Sequence, residues 1–502
     1  INTPIYLVYY DSILSMKMDV PVEVKTVADG LRKEGFEAYL VGGCVRDLLL
    51  KRAPKDWDIT TNALPEDIQR IFPDSFYEND FGTVGVKTES EDPTLSIIEV
   101  TPYRTETGYS DKRRPDAVEF GTSLEGDLAR RDFTINAIAL DEDKGHIVDP
   151  YQGQKDISAK VLRTVGIATE RFEEDALRVM RAVRLVAELN FALDTDTAAA
   201  ILEKGPNLSH ISRERIRDEL VRILESKNPM MALVLAQQLD ILKYISADLV
   251  RGIGIDQNQA HSYDVFGHLM RSLQHAADKD WPFDIRLAAL FHDVSKPETR
   301  RWSDEKNDWT FHGHEVVGSR VTRKALEDLK FSRETIEKVS KLVRWHMFFS
   351  DPDQITLSAV RRMIQNVGDE NIEDLLNLRI CDRIGTGRPK EQPFRFRKYK
   401  AMVDQALRDP ISVGMLKLDG NDLMGTFHVE PGPKIGYILH TLLEDVLENP
   451  KSNTKDYLGN RVLELLKLGD EELKELGDSG KKRKEQEEEQ EIKEILSKHN
   501  VS

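Results

Sequence analysis

The chain has 502 residues, 40% hydrophobic and 32% charged, enough for roughly two to four domains with separate cores. Lys and Arg total 71 against 88 Asp and Glu, a formal charge of −17. That balance argues against a binder holding nucleic acid by indiscriminate phosphate neutralisation, but it leaves room for local basic patches. No apolar run reaches the ~20 residues that span a bilayer, and the opening run from Ile5 to Leu14 is broken by Asp11 and lacks a basic leader. Cys44 and Cys381 lie far apart and suggest no disulfide framework. The expectation is a cytoplasmic protein with no membrane partner.

Residues 1–24 carry no assignment. From Val22 to Glu34 the periodicity is helical, and Ala38 to Val41 is a short apolar strand. Gly42-Gly43 breaks it ahead of a helix from Val45 to Lys51. Strand-like runs are expected over Asp56 to Thr60, Thr83 to Lys87 and Ser96 to Thr101, with a helix over Pro65 to Phe72. Together they predict an α+β head with a small mixed sheet over residues 25–156. Strand signals then nearly vanish. A helical neck over 157–250, a helical body over 255–390 and a helical C-terminal region over 391–469 are expected. The Glu/Lys-dominated stretch 470–502 predicts a solvated helix or a disordered tail.

Asp56 and Asp58 stand two apart. On a strand both carboxylates face one side, where they can share divalent cations for phosphoryl transfer. Glu99, in a neighbouring strand run, is either a third carboxylate or a solvent-facing one. Ahead of the pair, Tyr39-Leu40-Val41-Gly42-Gly43-Cys44-Val45-Arg46-Asp47 reads as strand, glycine turn and helix start. Gly43 would let phosphate oxygens approach the backbone, and Arg46 would add a charged fork to a triphosphate.

Gly42-Gly43-Cys44-Val45-Arg46-Asp47 through Pro54-Lys55-Asp56-Trp57-Asp58-Ile59-Thr60-Thr61 resembles the signature of the class II nucleotidyltransferases. That family contains the tRNA CCA-adding enzymes and the bacterial poly(A) polymerases. Arg130-Arg131-Asp132-Phe133-Thr134-Ile135-Asn136-Ala137 resembles its ribose-recognition block. Glu174-Asp175-Ala176-Leu177-Arg178-Val179-Met180-Arg181-Ala182-Val183-Arg184 resembles its base-reading block. The resemblance implies a metal-dependent enzyme, with Mg2+ on Asp56 and Asp58. It would add CCA to the tRNA 3′ end from CTP and ATP, without a template, and release pyrophosphate; A-only or poly(A) addition is the alternative. The nucleotide would meet Gly43, Arg46, Arg131, Asp132, Asp175, Arg178, Arg181 and Arg184. On one continuous helix Glu174, Arg178 and Arg181 fall within about 60°, with Asp175 and Arg184 at the flanks. An Asp accepts and an Arg only donates, so Asp175 and Arg178 would pair with the amino group and ring nitrogen shared by cytosine and adenine. The polar loop from Tyr103 to Asp116, with Lys112, Arg113 and Arg114, resembles the loop retained by family members that add the terminal A.

A second constellation follows: His268, His292-Asp293, His314, His346 and Asp382. His292-Asp293 ends an apolar run, Leu287 to Phe291, and a buried unpaired Asp is costly unless a metal satisfies it. These residues resemble the HD phosphohydrolase superfamily. The resemblance implies Mn, Mg, Ni or Fe, with His314 (or His312 in its place) and His346 as extra ligands of a two-metal site. It implies either phosphatase or 2′,3′-cyclic phosphodiesterase action, or a retained structural site. Ile211 to Leu220 resembles the helical segment after the family's neck. Phe394-Arg395-Phe396-Arg397-Lys398-Tyr399-Lys400 suits either RNA contact or a packing helix. Leu418 to Met424 and Glu430 to Gly436, with a Pro-Gly-Pro helix start, resemble a C-terminal element that would help hold the tRNA.

Overall fold

Val24, Val27, Ala28 and Leu31 recur at helical spacing and are all buried, so α1 (Val22–Lys33) is an amphipathic helix. The computed structural model describes residues 19–78, 82–107, 117–120, 123–258, 261–348 and 355–477. Two compact units divide the chain: one runs to Glu219 and includes Gln238–Tyr244, and the other is Leu220–Gln237 with Ile245 onward.

In the first unit, β1 (Tyr39–Val41) turns into α2 (Gly43–Leu49), followed by β2 (Asp58–Thr61), α3 (Pro65–Ile71), β3 (Ser75–Tyr77), β4 (Val84–Lys87) and β5 (Ile97–Pro102). A separate hairpin, β6 (Arg104–Thr107) with β7 (Ala117–Phe120), precedes α4 (Leu124–Ala129), β8 (Ala139–Asp141), β9 (His146–Val148) and α5 (Gly153–Ala159). The main sheet has seven strands in the order β3-β4-β5-β2-β1-β8-β9. It is mixed, as expected: β2 and β5 run parallel, with Asp58 opposite Glu99, and the other pairs are antiparallel. Glu99 therefore sits on an interior strand. Val41, Tyr103, Leu124, Leu128, Ala137, Ala139 and Val165 form a buried cluster beneath it. Each buried valine or leucine of the cluster contributes roughly 1.5–3 kcal/mol.

The structure adds β3, β8 and β9 to the expected strands, each of three residues, too few for alternation to stand out, and it adds the hairpin β6–β7, so Arg104–Thr107, expected within a polar loop, is a strand. The strand expected from Asp56 starts at Asp58, leaving Asp56 exposed ahead of it and Trp57 buried. Residues 108–116 of the polar loop lie outside the described residues, as do 1–18 and the tail beyond 477. Beyond residue 157 the chain is mainly helical, with two short additions: Val161–Leu162 pairs in parallel with Ala192–Leu193, and Arg301–Ser303 forms a hairpin with Asp308–Thr310.

One correction concerns the base-reading block. It is not one helix. α6 (Ala168–Glu174) ends before Asp175, which is extended (φ −140°, ψ 104°), and α7 (Leu177–Leu189) starts afresh. The Asp175 carboxylate accepts from the Leu177 N–H at 3.0 Å, a local bond that competes with helix continuation.

In the second unit, helix Phe283–Phe291 is buried from Ile285 onward; its one buried charge in that stretch, Arg286, is answered by Asp280 at 2.8 Å and by the Trp281 and Leu224 carbonyls. Helices Val265–Asp278, Arg333–Trp345 and Ile372–Gly385 pack around it. Helix Phe394–Ala406 carries the aromatic-basic stretch, and helix Pro433–Glu448 opens with Pro433 at its first position.

α5 meets the head core at Gly153, where an added Cβ would lie 2.2 Å from the Thr134 carbonyl oxygen. Gly153→Ala is expected to destabilise the head by about 1–3 kcal/mol, read as a lower Tm in thermal melting. An unchanged Tm would show that the contact relaxes freely.

Candidate active site and metal centre

The β1–α2 turn sets the head site. Gly42 has φ 81°, a left-handed conformation that favours glycine. A Cβ there would also stand 3.0 Å from Arg131 Nη1 and 3.2 Å from Asp58 Oδ2. A Cβ at Gly43 would meet Arg46 Nη2 at 3.6 Å and Asp56 Oδ1 at 3.8 Å, ordinary contacts. The conformational demand thus falls on Gly42, not on the expected Gly43. Both carboxylates of the Asp56/Asp58 pair face the turn.

These carboxylates repel one another. Burial, then Asp56, pushes the Asp58 carboxyl up to about 6. Burial, then Asp58, pushes Glu99 up to about 7, and Glu78, unnoticed in the sequence, adds to both. Such a cluster suits a cation. Among the described residues, however, Asp56, Asp58 and Glu99 are not a trio with all ligand atoms within 4.8 Å. Glu99 joins them as the cross-strand neighbour of Asp58. Arg131 lies across the turn, bonded to buried Asp127 at 3.1 Å; its Nε is buried without a partner, a donor open to a phosphate oxygen.

The ribose block is tied to the turn by hydrogen bonds. Arg46 donates to Asn136 Oδ1 at 2.8 Å and clasps its neighbour Asp47 at 2.9 Å through two bonds. Asn136 Nδ2 donates to Asp132 at 3.1 Å, and Arg181 donates to the same carboxylate at 2.8 and 2.6 Å. Burial would push the Asp132 carboxyl up; Arg181 and Asn136 outweigh it and hold it well below the usual range.

In the base block, Arg215 grips Asp175 at 3.2 and 2.8 Å. Arg178 pairs with Glu174 and donates to the carbonyls of Arg171 and Arg130 at 3.1 and 3.0 Å. Arg184 does not join the group. It lies six residues past Arg178 on α7, about 120° round the helix, and its guanidinium is buried between Glu219 at 2.6 Å and Glu188 at 2.9 Å. Asn136 lies in the ribose-block segment and Arg215 in the segment after the neck, yet nothing in their spacing, or in that of Asp127, marks a site partner.

The second constellation converges. His268, His292, Asp293 and Asp382 have ligand atoms within 4.8 Å of one another, as do Asp293, His314 and His346, so Asp293 belongs to both sets. Asp293 Oδ2 is 2.9 Å from His268 Nε2, and Oδ1 is 3.2 Å from His314 Nε2 and 3.4 Å from His346 Nε2. The Nδ1 atoms of His314 and His346 face the Phe311 and Val343 carbonyls at 2.6 and 2.7 Å. A carbonyl only accepts, so those nitrogens carry the proton and Nε2 turns its lone pair inward. Both Nε2 atoms are buried without hydrogen-bond partners, which fits divalent metal. His312 is exposed, so the position falls to His314. Lys296, one helical turn past Asp293, reaches Oδ2 at 2.6 Å; that i,i+3 spacing was a signal available in the sequence.

A glycine turn, a facing carboxylate pair and an arginine with an open donor, on a small mixed sheet, define a nucleotidyltransferase head. The Poly A polymerase head domain family matches residues 38–163, the probable RNA- and SrmB-binding site of polymerase A matches 190–249, and the HD domain matches 260–384. A CCA-adding enzyme of Lactobacillus delbrueckii subsp. bulgaricus is 32% identical over 442 residues, 87% of this chain and 96% of the relative. One from Geobacillus kaustophilus is 48% identical over 216 residues, 43% of this chain, and the chain spans about half (52%) of that relative's length. The crystal structure of the Bacillus stearothermophilus CCA-adding enzyme in complex with CTP matches with a TM-score of 0.62 and 28% identity, over 89% of this chain and all (100%) of that one. The chain belongs to the CCA-adding enzyme family.

Raised carboxyls make the metal-free head least stable at high pH, and the penalty fades as pH falls through about 7 and 6 towards ordinary carboxyl values. Asp58→Asn is expected to stabilise the metal-free protein at pH 8 by on the order of 1 kcal/mol, and the gain should vanish near pH 4. Equal Tm values for the two proteins at pH 8 would rule this out. In the second unit, Mn2+ at about 100 times its Kd should add about 2.7 kcal/mol to metal-free protein, and His292→Ala should remove that gain in the same melting assay.

Proposed function

We propose that this chain adds C, C and A in turn to the 3′ end of tRNA from CTP and ATP, without a template, releasing pyrophosphate. The observation that carries the reading is the Asp56/Asp58 pair facing the Gly42-Gly43 turn beside Arg131. The 3′-oxygen of the RNA bonds to the α-phosphorus of the incoming nucleotide as the bond to pyrophosphate breaks. When bound, a divalent cation such as Mg2+ supplies charge neutralisation of the triphosphate and activation of the attacking hydroxyl. Asp56 and Asp58 hold that charge, and Glu99 deepens the negative field as their neighbour.

Gly42 keeps the turn open to phosphate, with Gly43 lining it, and the open Nε of Arg131 takes a phosphate oxygen. Arg46 is held by Asn136, and Asp132 by Arg181, so these groups fix the ribose and phosphate ends relative to each other. Asp175 Oδ2 accepts from Arg215 Nη2 and keeps a lone pair for an exocyclic amino group. Arg178 commits Nη1 and one Nη2 proton to its neighbours and keeps Nε–H for a ring nitrogen. Cytosine and adenine satisfy that pair; guanine and uracil leave both groups facing like partners, which strongly disfavours them.

The domain reading keeps the head at 25–156, the neck at 157–250, the His-Asp body at 255–390 and a tRNA-binding region at 391–469. No helix among the described residues is long and apolar enough to cross a membrane, and both cysteines are buried and free, in keeping with a cytoplasmic site of action. A second reading rests on the converging histidines and Asp293: with Mn, Mg, Ni or Fe bound, the body would hydrolyse phosphate esters such as 2′,3′-cyclic ends.

A tRNA transcript lacking CCA, given labelled CTP alone and then ATP alone, tests the main reading. Incorporation of C before A is expected; ATP incorporation with none from CTP would leave A-only or poly(A) addition. Asp56→Ala and Asp58→Ala are each expected to slow incorporation at least about a thousandfold with tRNA binding retained. Near-normal turnover in either would sink the mechanism.

A further inference from the structure

A cavity of the second unit opens beside the His-Asp centre. It is a chamber of about 1190 Å3 whose wall includes His314 and Asp382 of that centre. Pockets for single small ligands commonly run about 300–1,000 Å3, so this one has room for more than a mononucleotide.

Its lining is specific in kind. Arg379, Arg383 and Arg388 lie along one part of the wall, and Lys306 comes from the hairpin between Arg301 and Thr310. Arg383 stands within electrostatic reach of both other arginines. Among the described residues, no carboxylate lies within 4.0 Å of Arg388 or Lys306, in a chain whose net charge is −17. Asp308, Glu315, Asp382 and Glu391 share the lining, but Asp382 is engaged by Arg379 at 2.5 Å and Glu391 by Lys279 at 2.7 Å, which leaves Arg383, Arg388 and Lys306 to face an anion.

The remaining wall is aromatic. Trp309 lines the chamber, with the Arg300 guanidinium 3.7 Å from its ring centre and Trp302 edge-on at 5.2 Å. Phe394, the first residue of the aromatic-basic helix, also lines it and is 71% exposed. A large exposed phenylalanine beside unpaired cations suits a ligand that is anionic and flat-faced at once.

We infer that this chamber binds the single-stranded end of an RNA chain, with bases stacked on Trp309 and Phe394 and phosphates on Arg388, Arg383 and Lys306. The site is separate from the head that adds nucleotides. Binding there needs neither nucleotide addition nor hydrolysis, so it stands or falls apart from both readings above.

The full chain in EDTA is titrated with a single-stranded ribo-oligonucleotide of about six nucleotides, with a nucleoside monophosphate and with inorganic phosphate, following tryptophan emission. The oligonucleotide is expected to quench emission saturably. The logarithm of affinity should fall with that of salt concentration by about 0.7 per phosphate contact. Arg388→Glu combined with Lys306→Glu should weaken the quench at least about tenfold and flatten the salt slope; Trp309→Phe should remove most of its amplitude. Circular dichroism melts check that these variants remain folded. Full quenching in Trp309→Phe, or unchanged affinity in the charge reversal, would overturn the proposal. Mononucleotide binding as tightly as oligonucleotide would overturn the RNA-end assignment, and phosphate alone matching both would overturn the stacking.

Discussion

The buried carboxylate of Asp132 is the point on which the head depends. Removing a carboxylate from water costs several kcal/mol, a loss recovered only where donors surround it closely. Arg181 from α7, the Asn136 amide and the Phe133 N–H do so here. Because Asn136 also takes the Arg46 guanidinium, one ion pair joins the β1–α2 turn to α7. Removing Arg181 would leave the charge unpaired, and the damage would spread along that chain of bonds.

The Asp56/Asp58 cluster follows the opposite logic. There the negative charges are left facing one another, and their proton affinity rises instead of falling. Two sets of carboxylates in one head thus differ in what answers them: guanidinium in one, an open face towards Arg131 and the turn in the other. A satisfied charge makes scaffold, whereas an unsatisfied one makes a place for a ligand. Asp293 combines both, with Lys296 answering one oxygen and two inward-facing imidazoles beside the other.

Much of this was legible in the chain. The glycine turn, the Asp-x-Asp spacing and the His-Asp pair after an apolar run each state a local requirement, and local requirements survive translation into structure. What could not be read was partnership across distance. Asp175 with Arg215, Arg184 with Glu219 and Arg46 with Asn136 join residues 35 to 90 positions apart. The break at Asp175 was also hidden, because Glu174 to Arg184 has good helical periodicity. A single side-chain bond to the Leu177 N–H outweighs that preference and parts Asp175 from the helix that carries Arg178, Arg181 and Arg184.

The hairpin that carries Trp309 lies between two segments of the His-Asp centre, yet those segments are not joined through it alone. The Ser295 hydroxyl donates to the His314 carbonyl at 2.6 Å, clamping the chain on both sides at the hairpin's base, and Arg301 pairs directly with Thr310. The strands above that clamp can therefore lengthen, shorten or change composition while His292, Asp293 and His314 keep their positions. Natural variation or deliberate grafting can thus remake the chamber's wall without rebuilding the centre beneath it.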